Sequence, residues 1–236
     1  MTPHLASAPP RCYALVPCAG VGERAGPGGP KQYRALAGRS VAAHTLDALA
    51  RVARLEATLV VLAPEDEAFE RHVPDFAGPR AWVERCGGAT RAATVAAGLE
   101  RLAARGVRAD DRVLVHDAAR CLLRAEWVER LIDACRDDPV GGLLALPLAD
   151  TLKQEHDGRA AATVDRAGKW AAQTPQMFRL GLLAEALRRH GTTATDEASA
   201  VEAAGHAPKL VRGEAENLKL TWPGDFELAA RLLVTR

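Results

Sequence analysis

Short apolar runs alternate with amphipathic segments along the first two thirds of the chain. The runs that resemble strands are CYALVPC (12–18), ATLVVLA (57–63), AWVER (81–85), RVLVHD (112–117) and GGLLALPL (141–148). Between them, segments near 40–52, 90–104 and 125–136 repeat apolar residues at i, i+3 and i+4, the spacing of an amphipathic helix. This alternation predicts an α/β fold with a largely parallel sheet and helices on both faces.

The predicted sheet indicates where a ligand would bind. In open α/β sheets, ligands lie in the crevice at the carboxyl ends of the strands. The segments directly after the strands at this edge are 19–33, 86–94 and 117–121. We therefore expect the functional residues in these three segments.

The pattern changes at 149–170, where polar and apolar positions alternate around HDG, a strong hairpin turn signal. We predict a two-stranded arm, at about 148–170, that projects from the sheet. Beyond it the pattern is mostly helical, and TDEASAVEAAG predicts a helix capped by Thr195 that ends at Gly205. The proline-rich residues 1–11 predict a flexible tail, and 12–236 a single domain.

Composition narrows the class of protein. The 31 lysines and arginines nearly balance the 30 aspartates and glutamates, which argues against a nucleic-acid-binding or membrane-binding surface, so local cations must meet any anionic ligand. No apolar run approaches the roughly 18 residues of a membrane span, and no export signal opens the chain. The five scattered cysteines contain no C-x-x-C pair, so we expect a soluble protein of the reducing cytoplasm.

The stretch CAGVGERAGPGGPKQY, residues 18–33, concentrates glycine and proline around two cations, Arg24 and Lys31. Its G-x-G-x-x-A pattern matches a dinucleotide fingerprint, but the prolines oppose the helix that this motif requires. A P-loop is excluded because Gln32 follows the lysine where serine or threonine is needed. Two interpretations remain open: an extended cradle for a chain of phosphates, or a mobile surface loop without a ligand.

Asp117 ends a buried strand, where a carboxylate has no packing role. It suits Mg²⁺, which is usually held by one or two carboxylates plus substrate phosphates, but it could instead cap the next helix. Arg120 offers a second anion contact at the same edge. The neighbouring His116 should point to the opposite face of the sheet.

Seven segments together resemble the 2-C-methyl-D-erythritol 4-phosphate cytidylyltransferases. They are AGVGERAGPGGPKQY, GGATRAATVAAGL, VHDAAR, DTLK, TVDRAGKWAAQTPQMF, TDEASAVEAAG and ENLKLTWPGDFELA, and the resemblance covers the chain from Cys12 to the C-terminus. The resemblance implies a Rossmann-like three-layer nucleotidyltransferase fold and CMP transfer from CTP to methylerythritol phosphate with Mg²⁺. It also implies a homodimer whose arms cross to the partner, and a chain without the fused cyclodiphosphate synthase domain of bifunctional relatives.

The resemblance assigns roles residue by residue. As catalytic residues it implies Arg24, Lys31, Asp117 and Lys219, with Asp117 also the metal ligand. For the nucleotide it implies Ala19, Gly20, Gly22, Gly87, Gly88, Arg91, Thr94 and Ala118. For the polyol phosphate it implies Arg120, Thr151, Arg166 and Thr195. The nucleophile would be a substrate phosphate oxygen, already largely dianionic at pH 7, so no general base is expected.

Some positions depart from the family pattern or allow another interpretation. Cys18 and Ala89 stand where the family usually has alanine and an acid; we expect Cys18 to be alkylated slowly, with protection by CTP. Lys219 could be a solvated strand lysine, and Arg166 a surface charge on the arm. Two other functions stay open: cytidylyl transfer to ribitol 5-phosphate, and a non-catalytic nucleotide-binding regulator.

Overall fold

A computed structural model describes residues 9–20 and 29–235; the predicted tail falls largely outside this part. The strands are β1 Cys12–Pro17, β2 Ala35–Leu36, β3 Arg39–Ser40, β4 Leu55–Val61, β5 Ala81–Glu84, β6 Arg112–Val115, β7 Gly141–Pro147, β8 Leu152–His156, β9 Arg159–Val164, β10 Trp170–Arg179 and β11 Lys209–Arg212. The helices are α1 Val41–Ala50, α2 Phe69–His72, α3 Arg91–Ala104, α4 Ala125–Cys135, α5 Leu180–His190, α6 Glu197–Ala203 and α7 Pro223–Val234, with a short 3-10 helix at Lys31–Tyr33.

Seven strands form one sheet in the order β11-β7-β10-β6-β1-β4-β5. All neighbours pair in parallel except β10, which runs antiparallel to both β7 and β6. Helices pack on both faces, so the fold is the predicted three-layer α/β arrangement with a mostly parallel sheet. Every strand predicted before residue 150 is present, with ends shifted by one or two residues.

The prediction of a mostly helical chain after the arm is wrong for β10 and β11. The segment WAAQTPQMFR contains Pro175, which argues against a central strand because proline cannot donate to a ladder. The structure accommodates it because the pairing of β10 with β7 is interrupted between Ala172 and Gln176. The residues on either side pair normally, and Met177 and Phe178 are fully buried.

Alternation along β1 builds the two cores. Ala14 and Val16 face one core, which α1 and α4 cover, while Tyr13 and Leu15 face the other, which α3, α5 and α6 cover. Parallel strands covered on both faces carry apolar residues at nearly every position, which explains the continuous run in β1. The close packing of α3 depends on Gly98, where an added Cβ would lie 2.7 Å from Leu15 Cδ1.

The predicted arm is present. Strands β8 and β9 pair antiparallel as a separate sheet, and the turn places Asp157 at φ 49° and Gly158 at φ 73°. Two successive positive φ values define the hairpin turn that matches strand twist, as HDG indicated. Apart from Leu152 and Val164, every residue of the two strands is exposed.

The helix at 195–205 begins one residue later than expected. Asp196, and not Thr195, is the N-cap, and its side chain accepts a hydrogen bond from the Ser199 amide. Aspartate is as good a cap as threonine, so the local sequence allowed either. Among the described residues, no helix combines the length and apolar character that crossing a membrane requires.

Candidate active site

A cavity of about 320 Å³ opens at the carboxyl ends of β1 and β6, the edge that the sequence indicated. Its walls combine predicted residues from four segments: Ala19, Gly20, Lys31, Gly88, Arg91, Thr94, Asp117, Ala118 and Lys219. Two further predicted residues, Gly22 and Arg24, lie outside the described residues. The topology therefore brings together side chains that are scattered over two hundred positions of sequence.

The first wall of the cavity is held by Gln32, a residue that sequence reasoning passed over. Its buried side-chain amide donates to the carbonyls of Cys18, at 3.1 Å, and Gly20, at 2.9 Å. The preceding Lys31 lines the cavity and donates from Nζ to Leu220 O at 3.1 Å. One short helical turn thus fixes the backbone after β1 and places an ammonium group beside it.

The second wall includes Gly88, and the preceding Gly87 packs against Ala19 without lining the cavity. A Cβ on Gly87 would lie 2.4 Å from the Cβ of Ala19, so only glycine allows this approach. Thr94 is 2% exposed, and its hydroxyl accepts from the Gly88 amide at 3.1 Å and donates to Thr90 O at 2.9 Å. Thr94 therefore holds the turn at Gly88 to the start of α3 through its hydroxyl group.

Asp117 lies at the centre of a cluster of cations. Its carboxylate lies 2.7 Å from Lys219 Nζ, accepts from Arg91 Nε at 2.8 Å, and lies 3.9 Å from Arg120 Nε. Burial alone would raise the pKa of Asp117, but the Arg91 and Lys219 charges outweigh it and hold the pKa far below its ordinary value. Asp117 is not a helix cap, because α4 begins eight residues later after Arg124.

A buried polar network supports Asp117 from the side of β10. The Asp117 amide donates to Thr174 Oγ1 at 3.1 Å, and the same hydroxyl lies 3.0 Å from His116 Nδ1. The fully buried Asn217 side chain donates to Thr174 O at 2.8 Å, and the backbone carbonyl of Asn217 accepts from Arg120 Nη1 at 2.6 Å. Sequence reasoning missed both supports, although QTPQ and ENLK belong to motifs that it singled out.

His116 does not line the cavity. Burial lowers the pKa of its imidazole to about 4, so the ring is neutral near pH 7. Its nitrogens lie near Thr174 Oγ1 and Arg120 O, at 3.0 and 3.2 Å. The ring thus lies away from the cavity that Asp117 lines, in keeping with the prediction that the two side chains point to opposite faces of the sheet.

A second hollow, of about 190 Å³, shares Arg91, Asp117 and Lys219 with the first. Its other walls include two residues predicted for the polyol phosphate, Arg120 and Thr195. The remaining two, Thr151 and Arg166, line neither hollow. Both are exposed at the base of the arm, where Arg166 donates to the carbonyls of Leu148 and Ala149.

The carboxylate of Asp117 fits a magnesium site only if the phosphates of the substrate supply further ligands. No cluster of three or more histidine, cysteine or acidic side chains that could hold a metal occurs in the part of the chain that the structure describes. Asp117 offers a single carboxylate next to a cavity that lysine and arginine side chains make attractive to phosphates. One carboxylate plus substrate phosphates is a usual arrangement for Mg²⁺.

The chain is similar to proteins of known function along nearly its whole length. The family model described as 2-C-methyl-D-erythritol 4-phosphate cytidylyltransferase matches residues 12–235. A bifunctional enzyme IspD/IspF of Albidiferax ferrireducens is 58% identical over 227 residues, which cover 96% of this chain and 54% of that protein. A 2-C-methyl-D-erythritol 4-phosphate cytidylyltransferase of Paraburkholderia phytofirmans is 51% identical over 230 residues, covering 94% of this chain and 96% of the relative. The chain thus spans about half of the bifunctional relative.

Solved structures agree. A crystal structure of 4-diphosphocytidyl-2C-methyl-D-erythritol synthase superposes with a TM-score of 0.85 at 43% identity, covering 96% of this chain and all of the other. The 2-C-methyl-D-erythritol 4-phosphate cytidylyltransferase of Thermus thermophilus superposes with a TM-score of 0.76 at 34% identity, covering 94% and 98% of the two chains. Fold and sequence therefore lead to the same group of proteins.

Proposed function

This chain belongs to the 2-C-methyl-D-erythritol 4-phosphate cytidylyltransferase family, and we propose that it transfers CMP from CTP to 2-C-methyl-D-erythritol 4-phosphate. The products would be 4-diphosphocytidyl-2-C-methyl-D-erythritol, an intermediate of the non-mevalonate isoprenoid pathway, and pyrophosphate. The observation that carries the proposal is the meeting of Lys31, Asp117 and Lys219 in one cavity at the carboxyl edge of the sheet.

The chemistry requires an anion to approach another anion. A phosphate oxygen of the polyol phosphate attacks the α-phosphorus of CTP, a new P–O bond forms, and the bond to pyrophosphate breaks. A phosphate monoester is largely dianionic at pH 7, so no side chain has to remove a proton. Catalysis then consists of alignment and of neutralising charge, which preorganised cations can supply.

Each cation has a position suited to one part of this reaction. Lys31, on the glycine-rich side, would neutralise charge that develops on the pyrophosphate, together with Arg24. Lys219 stands between the two hollows, where the α-phosphate must lie if nucleotide and acceptor occupy one hollow each. Arg120 and Thr195 would hold the acceptor in the second hollow.

We further propose that Asp117 binds Mg²⁺ together with the CTP phosphates. The ion would supply charge neutralisation and would order the triphosphate. Asp117 suits this role because its carboxylate is ionised throughout the physiological pH range and lies at the wall that both hollows share. Bound phosphates would also provide new partners for Lys219 and Arg91, which contact Asp117 in this structure.

The arm supports a homodimer with exchanged arms. An isolated two-stranded hairpin is marginal in water, and β8 and β9 are almost wholly exposed in a single chain. Thr151 and Arg166 line neither hollow of their own chain, so the role that the resemblance implies for them would be served in another subunit's site. We place this dimer in the cytoplasm, in keeping with five cysteines that form no disulfide in the part of the chain that the structure describes.

Pyrophosphate release tests the proposal. The protein is incubated with CTP and Mg²⁺ and, in separate reactions, with methylerythritol phosphate, ribitol 5-phosphate or no acceptor. We expect release with methylerythritol phosphate that exceeds release in the other two reactions. Release with ribitol 5-phosphate alone would assign a different polyol, and nucleotide binding without release in any reaction would indicate a regulator.

A further inference from the structure

Glu197 is a buried carboxylate to which the proposed reaction gives no role. It opens α6 and is 0% exposed. Its two oxygens accept from Arg91 Nη1 at 2.6 Å and from Nη2 at 2.9 Å, across 106 positions of sequence. The third nitrogen of the same guanidinium, Nε, donates to Asp117. Arg91 therefore bridges Glu197 and the proposed metal ligand.

Helix capping does not explain Glu197. The start of α6 is held by Asp196, which accepts from the Ser199 amide at 2.9 Å and from Gln176 Nε2 at 2.8 Å. Gln176 Oε1 also accepts from the Ala198 amide at 2.7 Å. These contacts anchor the helix on both sides of Glu197 without using its carboxylate.

Stability does not explain it either. Burying an ion pair costs desolvation of both charges, and apolar residues of similar volume often serve the fold as well or better. A buried carboxylate in this place therefore calls for a role in the site. Its two parallel hydrogen bonds also fix the plane of the guanidinium, which a single contact would not do.

The balance of charge around Asp117 indicates that role. Three cations, Arg91, Arg120 and Lys219, face two carboxylates, Asp117 and Glu197, and with both carboxylates ionised these five groups carry a net charge of +1. Without the Glu197 charge the cluster would carry +2, and Arg91 would have Asp117 as its only carboxylate partner among these contacts. The higher positive charge would repel a divalent cation at Asp117, because like charges repel strongly where water is scarce. The loss of its second carboxylate partner would leave Arg91 to compete with the cation for Asp117.

We propose that Glu197 is a positioning residue that engages two nitrogens of Arg91, so that Asp117 can accept a divalent cation delivered with the nucleotide. This inference rests on the proposed function, since it assumes that Asp117 meets a metal bound to CTP. It predicts that Glu197 affects metal-dependent nucleotide binding far more than nucleotide binding itself.

Calorimetry separates the two kinds of binding. The affinity for CTP is measured without acceptor, so that no transfer occurs, first with Mn²⁺ and then with a chelator; the ratio of the two affinities is the metal enhancement. In Glu197→Gln we expect the enhancement to fall about tenfold, in line with the loss of one buried charge, while the metal-free affinity stays the same or rises. The matched control Glu202→Gln, an exposed glutamate of the same helix, should keep the wild-type enhancement.

If Glu197 had only a structural role, Glu197→Gln would lower the affinity for CTP equally with Mn²⁺ and with the chelator, and this outcome would overturn the proposal. An unchanged metal enhancement in Glu197→Gln would overturn it as well. Glu197→Asp keeps the charge and tests the proposal even if Glu197→Gln does not fold. The Asp variant should retain most of the enhancement, and its full loss would exclude charge as the cause. A wild-type protein that binds CTP without enhancement would instead refute the metal role of Asp117, and the role of Glu197 with it.

Discussion

The crevice and the arm both carry predicted substrate residues, but the two regions hold them differently. In the crevice, Asp117 contacts three cations, and buried side chains from β10 and the following loops support it. On the arm, Thr151 and Arg166 are exposed, and the strands there pair only with each other. In the proposed reaction, a preorganised site and an exposed arm would act together.

This contrast follows from what each region must do. Catalysis by fixed cations requires that they be aligned before the substrate arrives, so they belong on the rigid sheet edge. A segment that reaches another subunit must leave its own domain, and it can do so only with a surface that tolerates water. Substitutions in the two regions should therefore fail in different ways.

The largest effect is expected in the crevice. Lys31→Ala should lower kcat by about 10² to 10³ while changing nucleotide affinity far less, because a preorganised cation stabilises the transition state most. Steady-state kinetics with varied CTP measures both quantities. The matched change on the arm, Lys153→Ala, removes an exposed lysine and should leave kcat within about twofold of wild type. Near-native turnover in Lys31→Ala would remove that lysine from the mechanism.

The next effect tests whether the arm completes a partner's site. Arg166→Ala and Asp117→Asn homodimers should both be strongly impaired. Mixed subunits, after dissociation and reassociation, should recover about a quarter of wild-type activity, because half of the dimers are mixed and each contains one intact site. Pyrophosphate release from the mixture reports the recovery. Mixtures no more active than the parent variants would refute a shared site.

A smaller effect distinguishes the two regions by stability. Gly98→Ala should lower the free energy of unfolding by about 1 to 3 kcal/mol, since the new methyl group would overlap Leu15 and Val61 in the core. Gly158→Ala strains the arm turn by about 1 kcal/mol at its positive φ, but the hairpin adds little to global stability, so Tm should barely change. Thermal unfolding of the two variants compares them directly. An equal loss of Tm would mean that the arm folds as part of the core.

The smallest effect concerns thiol chemistry beside the cavity. Burial raises the pKa of the Cys18 thiol to about 12, so almost none of it is the reactive thiolate at pH 8. We expect Cys86, which is partly exposed, to be alkylated first, and Cys18 to react only slowly, and more slowly still with CTP bound. Mass spectrometry after timed labelling gives the order. Rapid modification of Cys18 would show that the backbone at Cys18 and Gly20 opens more readily than its hydrogen bonds to Gln32 imply.

The sequence by itself determined the five strands that the central sheet has before the arm, the three long helices between them, the hairpin turn at Asp157 and Gly158, and the edge of the sheet where Asp117 would lie. These features depend on neighbours in the chain: apolar periodicity selects helix or strand, and a positive-φ turn is specified by two adjacent residues. The family motifs then pointed to the side chains that line the cavity, although Arg24 and Gly22 lie outside the described residues.

Only the tertiary structure decided how those side chains are held. Strand β10 enters the centre of the sheet despite Pro175, because a break in its ladder with β7 absorbs the missing donor. Arg91 meets Asp117 and Glu197 across 26 and 106 positions of sequence. Burial and ion pairing between residues so far apart in sequence depend on how the layers pack. No local pattern of residues shows which distant residues will meet. The sequence thus indicated the edge of the sheet where the proposed reaction would take place, and the packing of β10 and α6 against that edge determined its electrostatics.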